Sequence, residues 1–293
     1  MTSGDQMLLR LLTYFIITYI LYVCERNFGG VIFMTMGWTI LRKCNTVLHM
    51  DVNFRKILKL LEDLLFPSIC EGCGEVGCYL CDKCVENMIR IRRGQQCHVC
   101  KKQIKNSKFK IEDFMIHRSC KSKTYLDGIF VIAEYSKFVE DYIGDIKYEF
   151  YFAMIGDLVK VINRTLKNNA DFLKLVERSV FTFVPLSPVR KRWRGFNQAE
   201  IIAQGIAEYW GNECVKVLKR IKNTKSQVGL KREQRLKNIK EAFKFVGDID
   251  NLREKNIFIV DDVMTSGGTL EECAKALKAG GCASVYGLVF ARG

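Results

Sequence analysis

The 293-residue sequence is short of proline, with three, and short of acid, with 32 Asp and Glu against 46 Lys and Arg. No A-x-A-like cleavage site follows its apolar start. Each shortage excludes something. Little proline beside 27% charged and 11% aromatic residues excludes a collagen-like repeat and a wholly disordered chain. Without a cleavable signal peptide a secreted disulfide framework is a poor fit, so the thirteen cysteines point instead to metal in a reducing compartment. The missing acid leaves a net charge of +14, suited to nucleic acid, a membrane surface or an acidic substrate. With 48% hydrophobic residues the chain has ample apolar material for one large domain or two modest ones.

Residues 1–49 form a hydrophobic N-terminal extension. Met7 to Val23 is a run of 17 residues broken only by Arg10, and Phe28 to Leu41 is a second apolar stretch of 14. A helix needs about 20 such residues to cross a roughly 30 Å hydrocarbon core, so the first is marginal and the second too short. Three readings stand: an over-called start, with translation beginning at Met50; a membrane anchor; or a helix for a partner. Only the second makes the membrane a partner, and Arg42 and Lys43 would then keep the rest of the chain on the cytoplasmic side. Residues 50–66 read as an amphipathic helix leading into the first cysteines.

Residues 67–123 hold four pairs: Cys70-x-x-Cys73, Cys81-x-x-Cys84, Cys97-x-x-Cys100 and His117-x-x-Cys120. Two-residue spacing aims both side chains of a tight knuckle at one ion, and Zn²⁺ takes four such ligands tetrahedrally in structural sites. Eight ligands make two closed zinc sites. Sequential pairing is the simplest; interleaved pairing is also compatible with the spacing. Cys78 could replace a named ligand or remain a spare thiol, and His98 is a second imidazole, better suited to a surface role. Lys101 to Lys110 holds five lysines and no acid, as a solvated loop or a phosphate-contacting arm would.

Residues 124–293 alternate strands with helices. The pattern predicts strands at Tyr125 to Tyr135, Phe181 to Leu186, Asn256 to Val260 and Ser284 to Phe290. It predicts helices from Val139 to Asn163, broken around Gly144, through Tyr209, and onward to Leu277. Interior strands that are apolar nearly throughout argue for an α/β fold with a parallel sheet, which binds ligands at the carboxyl ends of its strands. There lies DDVMTSGGT. Thr265, Ser266, Gly267, Gly268 and Thr269 can form an anion nest before a helix, suited to a phosphate monoester. Asp261 and Asp262 suit vicinal ribose hydroxyls. The bland alternative is a capped helix, with Thr269 and Glu272 as a capping box.

DDVMTSGGT after an apolar strand resembles the phosphoribosyl pyrophosphate (PRPP) motif of type I phosphoribosyltransferases. Val184 to Glu200 and Leu218 to Phe243 narrow the resemblance to the ComF family of competence proteins (ComFC, GntX-like), whose members pair an N-terminal zinc module with a transferase-like domain. The resemblance runs from roughly Leu64 to Gly293. It implies a Rossmann-like parallel-sheet domain behind a double zinc ribbon, cytoplasmic, binding PRPP or a related ribose phosphate with Mg²⁺. It implies that Asp261 and Asp262 hold the ribose hydroxyls and that Thr265 to Thr269 hold the 5′-phosphate. It further implies that Pro185, Leu186, Ser187 and Arg190 form a pyrophosphate loop, and Arg220 to Asn238 a flap with signature positions Gln227, Arg235 and Asn238.

Displacement of pyrophosphate from C1 of ribose builds negative charge on the leaving group, which cations stabilise. Lys216 to Lys240 holds ten bases and one acid, either to that end or as a solvated face. A competing class is single-stranded DNA binding without chemistry. Arg190, Lys191, Arg192 and Arg194 interleave with Trp193 and Phe196, a mixture that serves phosphate contact and base stacking. The family's link to DNA uptake adds competence proteins as partners.

Overall fold

A computed structural model describes residues 67–91, 97–100, 102, 116–148, 154–222 and 238–293. The extension 1–49, the helix expected at 50–66, most of the Lys101 to Lys110 stretch, and Gln227 and Arg235 lie outside the described residues. Among the described residues no helix is long and apolar enough to cross a membrane. Ser68–Gly293 forms one compact unit.

A five-stranded, wholly parallel sheet is its frame. The strands are β1 (Gly128–Glu134), β2 (Ser179–Phe183), β3 (Glu213–Cys214), β6 (Asn256–Met264) and β7 (Ser284–Arg292), in the order β1-β7-β6-β2-β3. A second, antiparallel pair joins β4 (Leu218–Arg220) to β5 (Phe243–Phe245). The helices are α1 (Asp82–Met88), α2 (Lys137–Tyr148), α3 (Met154–Leu166), α4 (Ala170–Val176), α5 (Pro188–Arg194), α6 (Gln198–Trp210) and α7 (Gly268–Ala279). The expected break at Gly144 is absent: α2 runs through it, and the next helix begins at Met154.

The central strands are apolar because both faces are covered. On α3, Met154, Ile155, Leu158, Val161, Ile162 and Leu166 are buried at helical spacing, and this stripe packs against α6 and β1. α6 covers β2, β3 and β6, while α7 lies against β6, β7 and the β4–β5 pair. Phe258, fully buried on β6, joins the layers: its ring lies 5.3 Å from those of Phe172 and Phe181, 5.7 Å from Phe130 and 5.5 Å from Tyr286.

The sheet opens where chemistry is expected. β2 pairs with β6 only as far as Phe183 opposite Val260, with one further bond from Val184 N to Val260 O at 3.0 Å. Pro185, which lacks an N–H, then ends the ladder. β6 continues through Asp261 and Asp262 to Met264, four residues beyond the expected end, because β7 still pairs with it, Asp261 opposite Val289 and Met264 opposite Arg292. From β2 the chain proceeds to β3 on one side, and from β6 to β7 on the other. The carboxyl ends of β2 and β6 therefore flank a topological switch point, the crevice in which open α/β sheets bind ligands.

Phe258→Ala should lower unfolding stability by about 3–5 kcal/mol, read by denaturant titration, since it empties the contact of five rings across the sheet.

Candidate functional site

The acid pair on β6 is held asymmetrically. Asp262 is buried, and its oxygens are engaged: Lys147 Nζ lies 2.7 Å from Oδ2, Gln198 Nε2 donates to the same oxygen at 3.0 Å, and the Val263 amide donates to Oδ1 at 2.7 Å. Gln198 is itself fixed by Arg194, whose Nη1 donates to Gln198 Oε1 at 2.6 Å. Burial pushes the Asp262 carboxyl up, but the Lys147 charge and these hydrogen bonds outweigh it, and the group lies below the usual carboxylate range. Asp261 has less support. One oxygen accepts from the Asp262 amide at 3.0 Å, and burial, then the adjacent Asp262 charge, push its carboxyl up to about 8. Asp262 anchors the pair, and among the described residues the hydrogen bond to Asp261 uses only its Oδ1.

Next comes the turn. Gly267 adopts φ +81°, a left-handed conformation that favours glycine, and caps α7 with no side-chain hydrogen bond. The capping-box alternative fails. Thr269 sits inside the helix rather than at its cap, and Glu272 accepts from the Glu241 amide at 2.6 Å instead of reaching back. The first turn of α7 thus has no side-chain cap from Gly267, the Gly268 amide reaching Ser266 Oγ only at 3.5 Å, with Thr265 exposed and Ser266 and Thr269 half-buried beside it.

Pro185, Leu186 and Ser187 form the irregular stretch after β2. Asn197 Nδ2 holds its start through Val184 O at 3.0 Å, and Ser187 caps α5 by accepting from the Arg190 amide at 3.3 Å. Arg220 is buried at the end of β4, its guanidinium 5.5 Å from the Phe243 ring. Burial, then the charge of Arg190, lower its pKa, and Asp261 acts against both, so Arg190, Arg220 and Asp261 share one field. β4 and β5 are the stem from which residues 223–237 depart, and Asn238 follows that stretch.

The nucleic-acid candidates separate. Arg192 and Trp193 face solvent on α5, Trp193 with 59% of its surface exposed. Arg194 points inward to Gln198, and Phe196 packs half-buried against the core. The reason is local: helical spacing turns Arg194 toward the buried acid, and Gly195 at φ +77° ends the helix. Lys147 and Gln198 escaped the sequence reading because no motif ties them to residues so distant in the chain.

The cysteines gather in two groups, Cys70, Cys73, Cys81 and Cys84, and Cys97, Cys100, His117 and Cys120, with ligand atoms all within 4.8 Å in each. Pairing is therefore sequential, and Cys78 stays outside, half-buried, its thiol raised by burial and by Asp157. Both sets suit zinc, three or four thiolates apiece with no position open for chemistry. In the first knuckle burial opposes ionisation, yet amides of Cys81, Gly72 and Cys73 bring the Cys70 thiol down to about 6. Any Cβ at Gly72 would fall 2.5 Å from Cys84 Sγ, so this turn requires glycine. The module is fastened to the sheet domain. The Tyr79 amide donates to Asp157 Oδ2 at 2.8 Å, Arg164 bridges Asp82 and Glu86, and Ile91 forms an antiparallel bridge with Ala133. His98 has no surface role: its Nε2 donates to Glu271 Oε1 at 2.8 Å, and its side chain is 7% exposed.

Residues 193–293 match the family model of the phosphoribosyl transferase domain. Competence protein F of Haemophilus influenzae is 26% identical over 209 residues, 68% of this chain and 91% of that protein. The DNA utilization protein YhgH of Salmonella typhimurium is 35% identical over 116 residues, and that of Escherichia coli 34% over 117, each covering 39% of this chain. These alignments span about half the length of YhgH, 48% in both cases.

Two outcomes are expected. The raised Asp261 carboxyl favours the folded state below about pH 4, and this contribution is lost as the pH rises through about 8. Asp261→Asn should therefore raise the Tm by several degrees at pH 9, with the gain fading toward pH 5. Metal analysis should find two zinc ions per chain, about one in Cys84→Ser, and still two in Cys78→Ser.

Proposed function

We propose that this homologue of competence protein F, which carries a phosphoribosyl transferase domain in its C-terminal part, binds PRPP or a related ribose phosphate with Mg²⁺ and transfers the phosphoribosyl group. The single observation that carries the reading is the meeting, at the switch point, of a carboxylate bonded through one oxygen and an uncapped glycine turn.

The roles follow from chemistry. The amides of the Gly267 and Gly268 turn, with Thr265, Ser266 and Thr269, would take the 5′-phosphate. Asp261 would accept from a ribose hydroxyl, with Asp262 holding it in place. Displacement at C1 passes through a state with positive charge on the sugar and negative charge on the departing pyrophosphate. Arg190 and Arg220, with the loop Pro185 to Ser187, would receive that negative charge. Bound Mg²⁺ would neutralise pyrophosphate oxygens, and a carboxylate is the kind of donor it or its water shell takes. The positions Gln227, Arg235 and Asn238 are assigned to a flap over the same ligand. In cells this activity would serve DNA uptake or nucleotide metabolism, the former suggested by the relatives' names.

Exposed Arg192 and Trp193 on α5 favour a second reading, a single strand bound beside the site through phosphate contact and stacking. The two readings are compatible.

Calorimetric titration with PRPP and Mg²⁺ tests the first. Asp261→Asn with Asp262→Asn should abolish binding while circular dichroism stays unchanged; equal affinity in the double variant overturns the assignment. Pyrophosphate release with candidate bases then separates transfer from binding. No release, with salt-sensitive single-strand binding lost in Trp193→Ala, would favour the second reading.

A further inference from the structure

The first turn of α7 lacks what usually fixes a helix start. Its cap is a glycine with no side-chain hydrogen bond, and Ser266 Oγ reaches the Gly268 amide only at 3.5 Å. Glu271, within it, ties the turn to the cysteine module, beside buried Leu270 and the Glu272 contact to the Glu241 amide. Glu271 Oε1 accepts from His98 Nε2 at 2.8 Å and from Thr124 Oγ1, and Oε2 accepts from the Tyr125 amide at 3.0 Å. Burial alone would raise this carboxyl; the bonds from His98, Thr124 and Tyr125 bring it below its ordinary range.

All three donors belong to segments that carry the second cysteine group. His98 lies inside the Cys97 to Cys100 knuckle, and Thr124 and Tyr125 leave the 3-10 turn Arg118–Lys123, which carries Cys120. These two segments are remote in sequence and meet at the four ligand atoms, all within 4.8 Å. An ion bound there ties them together and so fixes the three donors relative to one another. The far end of α7 is anchored at a second point, Lys278 Nζ lying 2.6 Å from Asp127 Oδ2, which also accepts from the Val285 amide of β7 at 2.7 Å. Loosening Glu271 would therefore release the N-terminal turn rather than the whole helix.

We infer that His98 and Glu271 are positioning residues that couple metal occupancy of the Cys97, Cys100, His117 and Cys120 site to the placement of the amides at the start of α7. An anion bound at those amides feels the same coupling. By reciprocity, such a ligand tightens metal binding at that site. The ligand half of this inference rests on the ribose-phosphate reading above; the coupling half does not.

Two measurements on the full chain decide it. Hydrogen exchange of residues 267–271 should speed up in metal-stripped protein, in His98→Ala and in Glu271→Ala, the last of which lies away from the ligands and should keep both ions. Unchanged exchange in Glu271→Ala overturns the coupling. Ribose 5-phosphate should bind His98→Ala about 5- to 20-fold more weakly than wild type, within the usual span of coupling energies. His98→Gln, which retains a donor at similar reach, should recover most of the affinity. Equal affinity in wild type and His98→Ala overturns the ligand half. If wild type itself binds no ribose 5-phosphate, the proposed ligand falls, while the exchange measurement still decides the coupling.

Discussion

Two adjacent carboxylates in a mostly buried crevice cannot both be comfortable as anions, and much of the site is arranged around that conflict. Asp262 is satisfied by a cation from α2, an amide from α6 and its own following backbone. Arg194, Gln198, Asp262 and Lys147 form one chain of contacts that ties three helices to the central strand. The conflict is thereby shifted onto Asp261, which is raised.

The parts of the molecule legible in the sequence were those whose signal is local. Asn256 to Val260 reads as a buried strand because it is apolar throughout, and the glycines after it read as a phosphate turn because few other residues permit that backbone. The cysteine pairs announce metal through spacing alone, and the two groups form as the simplest pairing suggests. What stayed hidden depends on contacts across the chain. Nothing near Asp261 says that β6 will run on to Met264, since that follows from β7 alongside it and from Pro185 stopping β2. Arg194 looked like one more base in an exposed run until α5 and α6 fixed its direction. His98 looked like a surface imidazole because its partner, Glu271, lies far along the chain.

The cysteine module and the sheet domain share more than a linker. The first cysteine group leans on α3 through Asp157 and Arg164, and the second leans on α7 through Glu271. If both groups hold zinc as proposed, the ions would stiffen segments too short to build a core of their own, and those segments brace the helix whose start faces the crevice.

The strand order sets a schedule. β7, the last strand of the sheet in chain order, lies between β1 and β6, with Gly128 opposite Tyr286 and Asn256 opposite Ser284. A growing chain can load both metal knuckles early, because their ligands lie close in sequence. The sheet must wait: β1 has no partner strand in it until β7 emerges, and contacts of such long separation form slowly. Until then the apolar face of β1 is a surface that a nascent chain must keep from its neighbours, and the segment of the cysteine module that meets that strand, Ile91 at Ala133, precedes it in the chain.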